Sequence, residues 1–241
     1  MEWRDEAMVL GLRRHGESSA ILELMTAGHG RHLGIVRGGR SRAMQPVLQA
    51  GNSVVAVWRA RIEDQLGTYA IEPVHLRTAR ILANEAALHA ISLLGQLLRL
   101  LPERENHRGL YETALLIAEH IDEPRIAPAL IARFELALLQ ELGFGLDLTE
   151  CAASGATQDL VFVSPRSGRA VSRTAGEPWK DKLLPLPAFL REGGIFAEPT
   201  SGDVAAGFRL TGYFLERDLF APRGMGLPDA RRSLTRTLLP A

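Results

Sequence analysis

The sequence predicts an α+β protein in which a small β-barrel precedes an α-helical domain. Two observations carry this prediction. The first 75 or so residues hold five short runs of β-branched and apolar residues, separated by turn signals. From Val74 onward, apolar residues instead recur at the spacing of helices. We therefore expect a barrel domain at 1–75 and a helical domain at 76–241.

The runs of the first domain have the strand order of a known type of barrel. They predict strands at Ala7–Arg14, Ser19–Thr26, Arg31–Arg37, Ser53–Arg61 and Gly67–Pro73. The stretch RAMQPVLQAG, between the third and fourth runs, is compatible with a short helix that ends at Gly51. Five strands with a helix after the third are the order of an OB-fold β-barrel. Gly11 would let the first strand bend across both halves of the barrel.

The second domain is predicted from five segments with helical spacing of apolar residues. They lie at Arg80–Pro102, Gly109–Asp122, Ala127–Phe144, Gly202–Phe220 and Pro228–Leu239. Asp203 and Asp229 stand near the starts of the last two, where a carboxylate interacts favourably with the helix dipole. The region Asp147–Pro187 differs from these segments, because small polar residues and glycines surround one strand-like run, DLVFVSP.

Composition sets limits on the class of protein. With 241 residues and 46% hydrophobic content the chain can bury a full core, and 28 basic residues balance 28 acidic ones. Net charge therefore indicates neither nucleic acid nor membrane as a partner. A single cysteine, Cys151, allows no internal disulfide and suits a reducing compartment. We see no secretory signal and no run of about 18 apolar residues, so we expect a cytoplasmic protein.

Positive charge is nevertheless concentrated in the barrel domain. Between Val9 and Arg61 eight arginines face only two acidic residues, Glu17 and Glu23. Guanidinium groups bind phosphate in a bidentate manner, so this segregation predicts a nucleic-acid-binding surface. The candidate residues are Arg13, Arg14, Arg31, Arg37, Arg40, Arg42, Arg59 and Arg61. The choice of arginine itself says little, because the whole chain has only two lysines, Lys180 and Lys182.

Few aromatic residues accompany these arginines. Trp3, Trp58 and Tyr69 are the only aromatic residues in the first 75, and we expect Trp58 in the core. A binder with so few stacking platforms should depend on phosphate contacts, and hence bind without sequence preference and with a strong response to salt.

No catalytic motif is found, and we predict a non-enzymatic protein without catalytic residues or cofactors. The glycines of GHGRHLG do not have dinucleotide-binding spacing, and neither a Walker motif nor a G-x-S-x-G elbow occurs. His29 and His32 lack a third metal ligand at a suitable spacing. A solvent or phosphate contact is the simpler interpretation of both.

Three stretches carry a resemblance to a known family. GIVRGGRSRAMQPVLQAGNSV, LDLTECAASGATQDLVFVSPRSGRAVSRTAG and LTGYFLERDLF resemble the RecO family of bacterial DNA repair proteins and recombination mediators. The resemblance covers essentially the whole chain. It implies a nucleoid-associated protein that binds single- and double-stranded DNA and anneals complementary strands. It also implies that the chain acts with RecR to assist RecA loading onto DNA coated by single-strand-binding protein, and that it contacts the C-terminal tail of that protein.

In the region at about 147–187 this chain departs from the pattern of the family that it resembles. Many members carry a zinc ribbon there, with two CxxC pairs. The matching positions in this chain are Cys151, Ser154, Ser172 and Ala175. One thiol cannot replace the four good ligands of a structural zinc site. We therefore expect a degenerate, zinc-free ribbon-like insert, held by packing of the apolar run at 160–163.

One alternative function stays open at this point. The barrel could serve as a protein-interaction adaptor without direct DNA binding, its arginines pairing with an acidic tail of a partner. Oligonucleotide binding at several salt concentrations distinguishes the two functions.

Overall fold

Residues 1–191 and 198–238 are described by a computed structural model, in which the chain divides into two units. The first is Met1–Asp122 and the second Glu123–Ala241. The predicted division into domains at 1–75 and 76–241 stays a prediction.

Five strands close into a barrel in the first unit. They are β1 (Glu2–His15), β2 (Ser19–Thr26), β3 (Gly30–Val36), β4 (Ser53–Arg59) and β5 (Thr68–His75). Around the barrel the order is β1-β2-β3-β5-β4, which confirms the predicted OB-fold order. All neighbours are antiparallel except β3 and β5, which are parallel.

The first strand serves both halves of the barrel. Its N-terminal part pairs with β4, from Glu2 opposite Arg59 to Met8 opposite Ser53, and its C-terminal part pairs with β2. The register shifts next to Gly11, as expected for a strand that bends there. The strand starts at Glu2, before the predicted Ala7. The prediction missed this start because the first residues of the strand alternate charged and half-buried positions and carry little apolar signal.

The barrel encloses an apolar core in which Trp58 is one of the largest side chains. Trp58 is only 2% exposed, and its Nε1 donates a hydrogen bond to the Leu66 carbonyl at 3.0 Å. The prediction that Trp58 lies in the core is confirmed. Val54 and Ala56 also lie in the core, while Val57 is half-buried, so β4 alternates although its sequence does not.

The segment between β3 and β4 consists of turns, and the predicted helix in it is wrong. Gln45 and Leu48 donate i→i+4 backbone bonds, to Ser41 and Met44, but these bonds do not continue into a ladder. Pro46 has no amide hydrogen to donate and so interrupts the helical pattern. Gly51 ends the segment with a positive φ of 86°, a conformation that suits glycine.

Three helices complete the first unit, α1 (Thr78–Leu82), α2 (Glu85–Leu98) and α3 (Arg108–Glu119). The single helix predicted at Arg80–Pro102 is therefore wrong. Asn84 divides it, because its backbone is extended and its side chain accepts a hydrogen bond from the Ala87 amide at 3.1 Å. This is an N-cap, which starts a new helix.

The second unit combines helices with a small sheet. Its helices are α4 (Ala127–Glu141), α5 (Arg173–Gly176), α6 (Ser201–Phe214) and α7 (Asp229–Leu238), and its strands are β6 (Leu160–Val163), β7 (Ala170–Ser172) and β8 (Leu184–Pro185), in the order β7-β6-β8. The predicted insert thus contains three strands where the sequence indicated one.

Asp203 lies at the start of α6, as predicted. Thr200 and Asp203 form a reciprocal capping box, with the Asp203 amide 3.1 Å from the Thr200 hydroxyl. The α-helix ends at Phe214, before the predicted Phe220, and continues as a π-helical turn, Leu215–Phe220. The predicted end of the last helix, Leu239, lies outside the described residues. No helix in the described ranges is long and apolar enough to cross a bilayer.

Candidate nucleic-acid interface

The interface is built where the β1–β2 turn meets the segment after β3. The Arg40 amide donates to the Ser18 carbonyl at 3.1 Å, and the Arg40 guanidinium donates to the carbonyls of Gly16 and Glu17 at 3.2 and 2.5 Å. Arg40 is half-buried as a result. It therefore connects the two loops, in addition to any contact with a ligand.

Arg37 and Arg42 flank Arg40 and are exposed, without an ion-pair partner among the residues described. Because Arg37 follows the last residue of β3, it leaves the barrel at the end where the β1–β2 turn lies. Two guanidinium groups on this end are thus free to bind an anion.

Arg13 and Arg14 lie at the same end of the barrel. Arg14 is opposite Ala20 on β2, and Ala20 is in turn opposite Val36, the residue before Arg37. Both arginines are exposed and have no ion pair within the described ranges. Since successive residues of a strand point to opposite faces, one arginine lies on each side of the hairpin.

Arg59 and Arg61 extend the charged surface along the end of β4. Arg59 is opposite Thr68 of β5 and forms an exposed ion pair with Glu2 at 2.9 Å. The hydrogen bond from Arg59 also lowers the pKa of the Glu2 carboxyl. Arg61 lies just beyond the strand and is exposed. Exposed pairs such as that of Arg59 contribute little, so a phosphate can replace the carboxylate.

Arg31 is the exception among the candidates, because it lies at the other end of β3. Its guanidinium pairs with Glu23 at 3.1 Å and donates to the Leu101 carbonyl at 3.3 Å, and its side chain is only 17% exposed. Arg99 contacts the same Glu23 carboxylate. These contacts occupy Arg31 within the unit, and the structure does not bring it together with the other seven.

A groove next to the arginines was not evident from the sequence. It has a volume of about 410 Å³ and opens between β3, β4 and β5. Arg37 and Arg59 are among the residues that line it, together with Met44, Val57 and Ile71. Its residues come from three strands and a turn, so no local motif marks it.

The two histidines of the segment GHGRHLG, His29 and His32, have local partners. His29 Nδ1 lies 3.0 Å from the Asp5 carboxylate, and the His29 ring stacks on Trp3 with centroids 4.2 Å apart. His32 is buried and hydrogen-bonded to the Tyr69 hydroxyl at 2.9 Å. Burial lowers the pKa of His32 to about 4, so that its ring is neutral near pH 7.

The ribbon-like insert gathers three of the four degenerate ligand positions. Cys151 is buried, and the Ser172 amide donates to its Sγ at 3.2 Å. Burial by itself would raise the pKa of the Cys151 thiol, but hydrogen bonds from Ser154, Ser172 and two backbone amides lower the pKa to about 6. One thiol and two hydroxyls do not suit structural zinc. Among the residues described, no group of three His, Cys, Asp or Glu side chains is placed to hold a metal.

Comparison with known sequences identifies relatives for both parts of the chain. Residues 1–77 match the family model described as Recombination protein O N terminal, and residues 81–224 match Recombination protein O C terminal. The chain is 60% identical over 233 residues to the DNA repair protein RecO of Methylocella silvestris, covering 97% of this chain and 94% of the relative.

Two further relatives carry the same printed name. Over 234 residues the chain is 58% identical to the protein of Methylobacterium nodulans, covering 96% of this chain and 95% of the relative. Over 231 residues it is 55% identical to the protein of Brucella abortus, covering 96% and 93%.

Proposed function

Because this chain belongs to the RecO family of DNA repair proteins, we propose that it is a non-enzymatic recombination mediator that binds single- and double-stranded DNA through one end of its barrel. The observation that supports DNA binding is the group of exposed arginines around the β1–β2 turn. Arg13, Arg14, Arg37 and Arg42 have no carboxylate partner among the described residues. Their charge is therefore available to neutralise phosphates.

Charge neutralisation is also sufficient for strand annealing. Two complementary strands repel each other through their phosphates, and a cationic surface that binds both strands lowers this repulsion. Base pairing then supplies the free energy, so the reaction needs no nucleotide hydrolysis and no catalytic residue.

The proposed partners follow from the family. We place the chain with RecR in assisting RecA to load onto DNA coated by single-strand-binding protein at the nucleoid, with contact to the C-terminal tail of the latter protein. The helices outside the barrel would supply the docking surfaces for these proteins.

A salt titration of oligonucleotide binding tests the proposal. If three to five phosphates of a single strand are engaged, the logarithm of the binding constant should fall against the logarithm of salt concentration with a slope of about −2 to −3.5. No binding at low salt would contradict the proposal and favour the protein-interaction adaptor.

A further inference from the structure

Strand β5 is paired along its whole length on one side only. On the β4 side the pairing continues to the end of the strand. On the β3 side it is limited to two residue pairs, Ile35 with Thr68 and Val36 with Tyr69. The chain turns away after Val36, where the Gly39 amide donates to the Val36 carbonyl at 3.2 Å. After Tyr69, the side of β5 that faces away from β4 is therefore an edge of the barrel sheet, which we call the β5 edge.

The β5 edge presents backbone groups that are free to form hydrogen bonds. The Ile35 amide donates to the Gly67 carbonyl at 3.0 Å, so Gly67 faces β3. Backbone groups of alternate strand residues point to the same neighbour, so Ile71 and Pro73 face this side as well. Within the described ranges, no hydrogen bond joins the Ile71 amide or carbonyl to another segment on this side. Pro73 suits such a position, because proline has no N–H and occurs in strands where the nitrogen faces no partner.

Side chains from both faces of the sheet border the β5 edge. Met44 and Ile71 pack against the barrel core, whereas Val57 and Ala70 are opposite each other on the outer face. The side chains of an added strand alternate between the two faces, so such a strand contacts both pairs. The groove of about 410 Å³ that these four residues help to line is the space beside the edge. Its shape therefore suits an extended chain.

Positive charge stands at the start of this groove. Arg37 directly follows the last residue of β3, and Arg59 is opposite Thr68 on β4. Both arginines line the groove. Arg37 has no ion pair within the part of the chain that the structure describes, and Arg59 has only its exposed pair with Glu2. Charge complementarity therefore favours a ligand with a carboxylate at this end.

We propose that the β5 edge binds an extended peptide segment of a partner protein as an additional β-strand, with an acidic residue next to Arg37. The segment lies in line with β3, donates to the carbonyls of Ile71 and Pro73, and accepts from the Ile71 amide. About five residues, at roughly 3.3 Å each, cover the edge from Ala70 to Val74. Because Val74 is 64% exposed, the far end of the edge is open to such a partner. This inference goes beyond the proposed function, since it concerns a protein partner and needs no DNA.

Hydrogen exchange of the free protein, measured residue by residue, tests the edge itself. The Ala70 amide points to β4 and the Ile71 amide to the β5 edge, so Ile71 should exchange at least about 100-fold faster. Equally slow exchange of the two amides would overturn the inference, because the edge would then be covered within the chain. Slow exchange of Ile71 that becomes fast on dilution would overturn it too, since a second copy of the chain would then cover the edge.

A synthetic peptide tests the partner. The probe is a fluorescent peptide of about seven residues in which valine and threonine alternate between two terminal glutamates, with acetylated and amidated ends. We expect binding by fluorescence anisotropy, and exchange of the Ile71 amide at least about tenfold slower at saturation. The same peptide with N-methyl groups on its central residues keeps its charge and side chains but cannot donate hydrogen bonds, and should bind at least about tenfold more weakly. Absence of binding to the first peptide, or equal binding of both, would overturn the inference.

Two variants place the binding at the edge. Ile71→Pro removes the N–H that faces the edge without removing a bond to β4, and it should abolish peptide binding. Ile71→Val is the matched control, because it keeps this N–H, and it should bind as the native protein does. Thermal unfolding verifies that both variants fold, and the N-methylated peptide tests the same bonds on the native protein.

Unchanged binding by folded Ile71→Pro would overturn the inference, since the peptide must then lie elsewhere. None of these measurements contains DNA. Failure of the inference is therefore distinguishable from failure of the proposed function, which the salt titration tests.

Discussion

The guanidinium of Arg231 donates two hydrogen bonds to the carboxylate of Glu135, with Nε 2.7 Å from Oε1 and Nη2 2.9 Å from Oε2, and both side chains are buried. Arg231 also donates to the Phe208 carbonyl at 2.7 Å, and the Thr211 hydroxyl donates to Glu135 at 2.5 Å. Helices α4, α6 and α7 thus share one buried polar network. Each polar group in it depends on the others for its hydrogen bonds.

Arg231→Met should therefore lower the free energy of unfolding by about 3–5 kcal/mol, because it leaves the Glu135 carboxylate buried without its partner. Urea unfolding measures the loss. Arg232→Ala is the control, since Arg232 is the next residue and forms only an exposed pair with Asp229. Equal stability of Arg231→Met and Arg232→Ala would show that the buried pair does not hold α7.

Replacing Arg37 and Arg42 together by alanine should weaken single-strand binding and reduce the salt slope by about 1.4 if each binds one phosphate. The thermal midpoint should change little, because both side chains are exposed. Adding Arg40→Ala should lower the midpoint as well, because the Arg40 bonds to the β1–β2 turn are lost. Arg166→Ala removes an exposed charge from the second unit and is the control. An equal loss of affinity in Arg166→Ala would mean that only total charge matters.

In contrast to the Arg37 and Arg42 substitutions, Arg31→Ala should lower stability and leave DNA binding unchanged. We expect a loss of about 1–3 kcal/mol in the free energy of unfolding, because Glu23 and the Leu101 carbonyl lose a charged hydrogen-bond donor. The salt slope of DNA binding should stay within error of the native value. If the slope instead became smaller by about 0.7, the value for one phosphate, and stability did not change, Arg31 would be a DNA contact.

Stability should depend on pH through His32. Its pKa in the folded protein is about 4, below the value of about 6.5 in an unfolded chain, so the unfolded state binds more protons between these values. His32 therefore does not lower the free energy of unfolding above about pH 6.5. As the pH falls toward 4, the free energy of unfolding decreases through His32 by up to about 3 kcal/mol. Urea unfolding between pH 4 and 7 measures this slope. His32→Asn should make the curve flatter in that range, and an unchanged slope would exclude His32 as its source.

The insert should bind no stoichiometric zinc as it stands. Elemental analysis of the purified protein measures this, and one zinc per chain would contradict the prediction that the insert is zinc-free. The combined substitution Ser154→Cys, Ser172→Cys and Ala175→Cys should restore binding of one zinc, because two of these positions already hydrogen-bond to Cys151. Failure of this variant to bind zinc would show that the insert no longer has the geometry of a ribbon.

Local pattern was sufficient for most of the elements. Strand β2 has the predicted bounds Ser19–Thr26, and the order of five strands was enough to predict the OB-fold. Predictions were wrong where the local apolar signal was weak, or where a single residue interrupted a predicted helix. The charged start of β1 was missed, and Asn84 and Pro46 altered segments whose apolar spacing indicated helices.

The sequence by itself determined that positive charge is concentrated in the barrel, because charge is a property of composition along the chain. Only the tertiary structure decided which of these arginines are available to bind an anion. Arg31 donates a hydrogen bond to the carbonyl of Leu101, which lies 70 residues away in sequence, whereas Arg37 remains exposed. The groove likewise exists only because β3 and β5 become neighbours when the barrel closes. Such contacts depend on residues distant in sequence, and periodicity reports only on near neighbours.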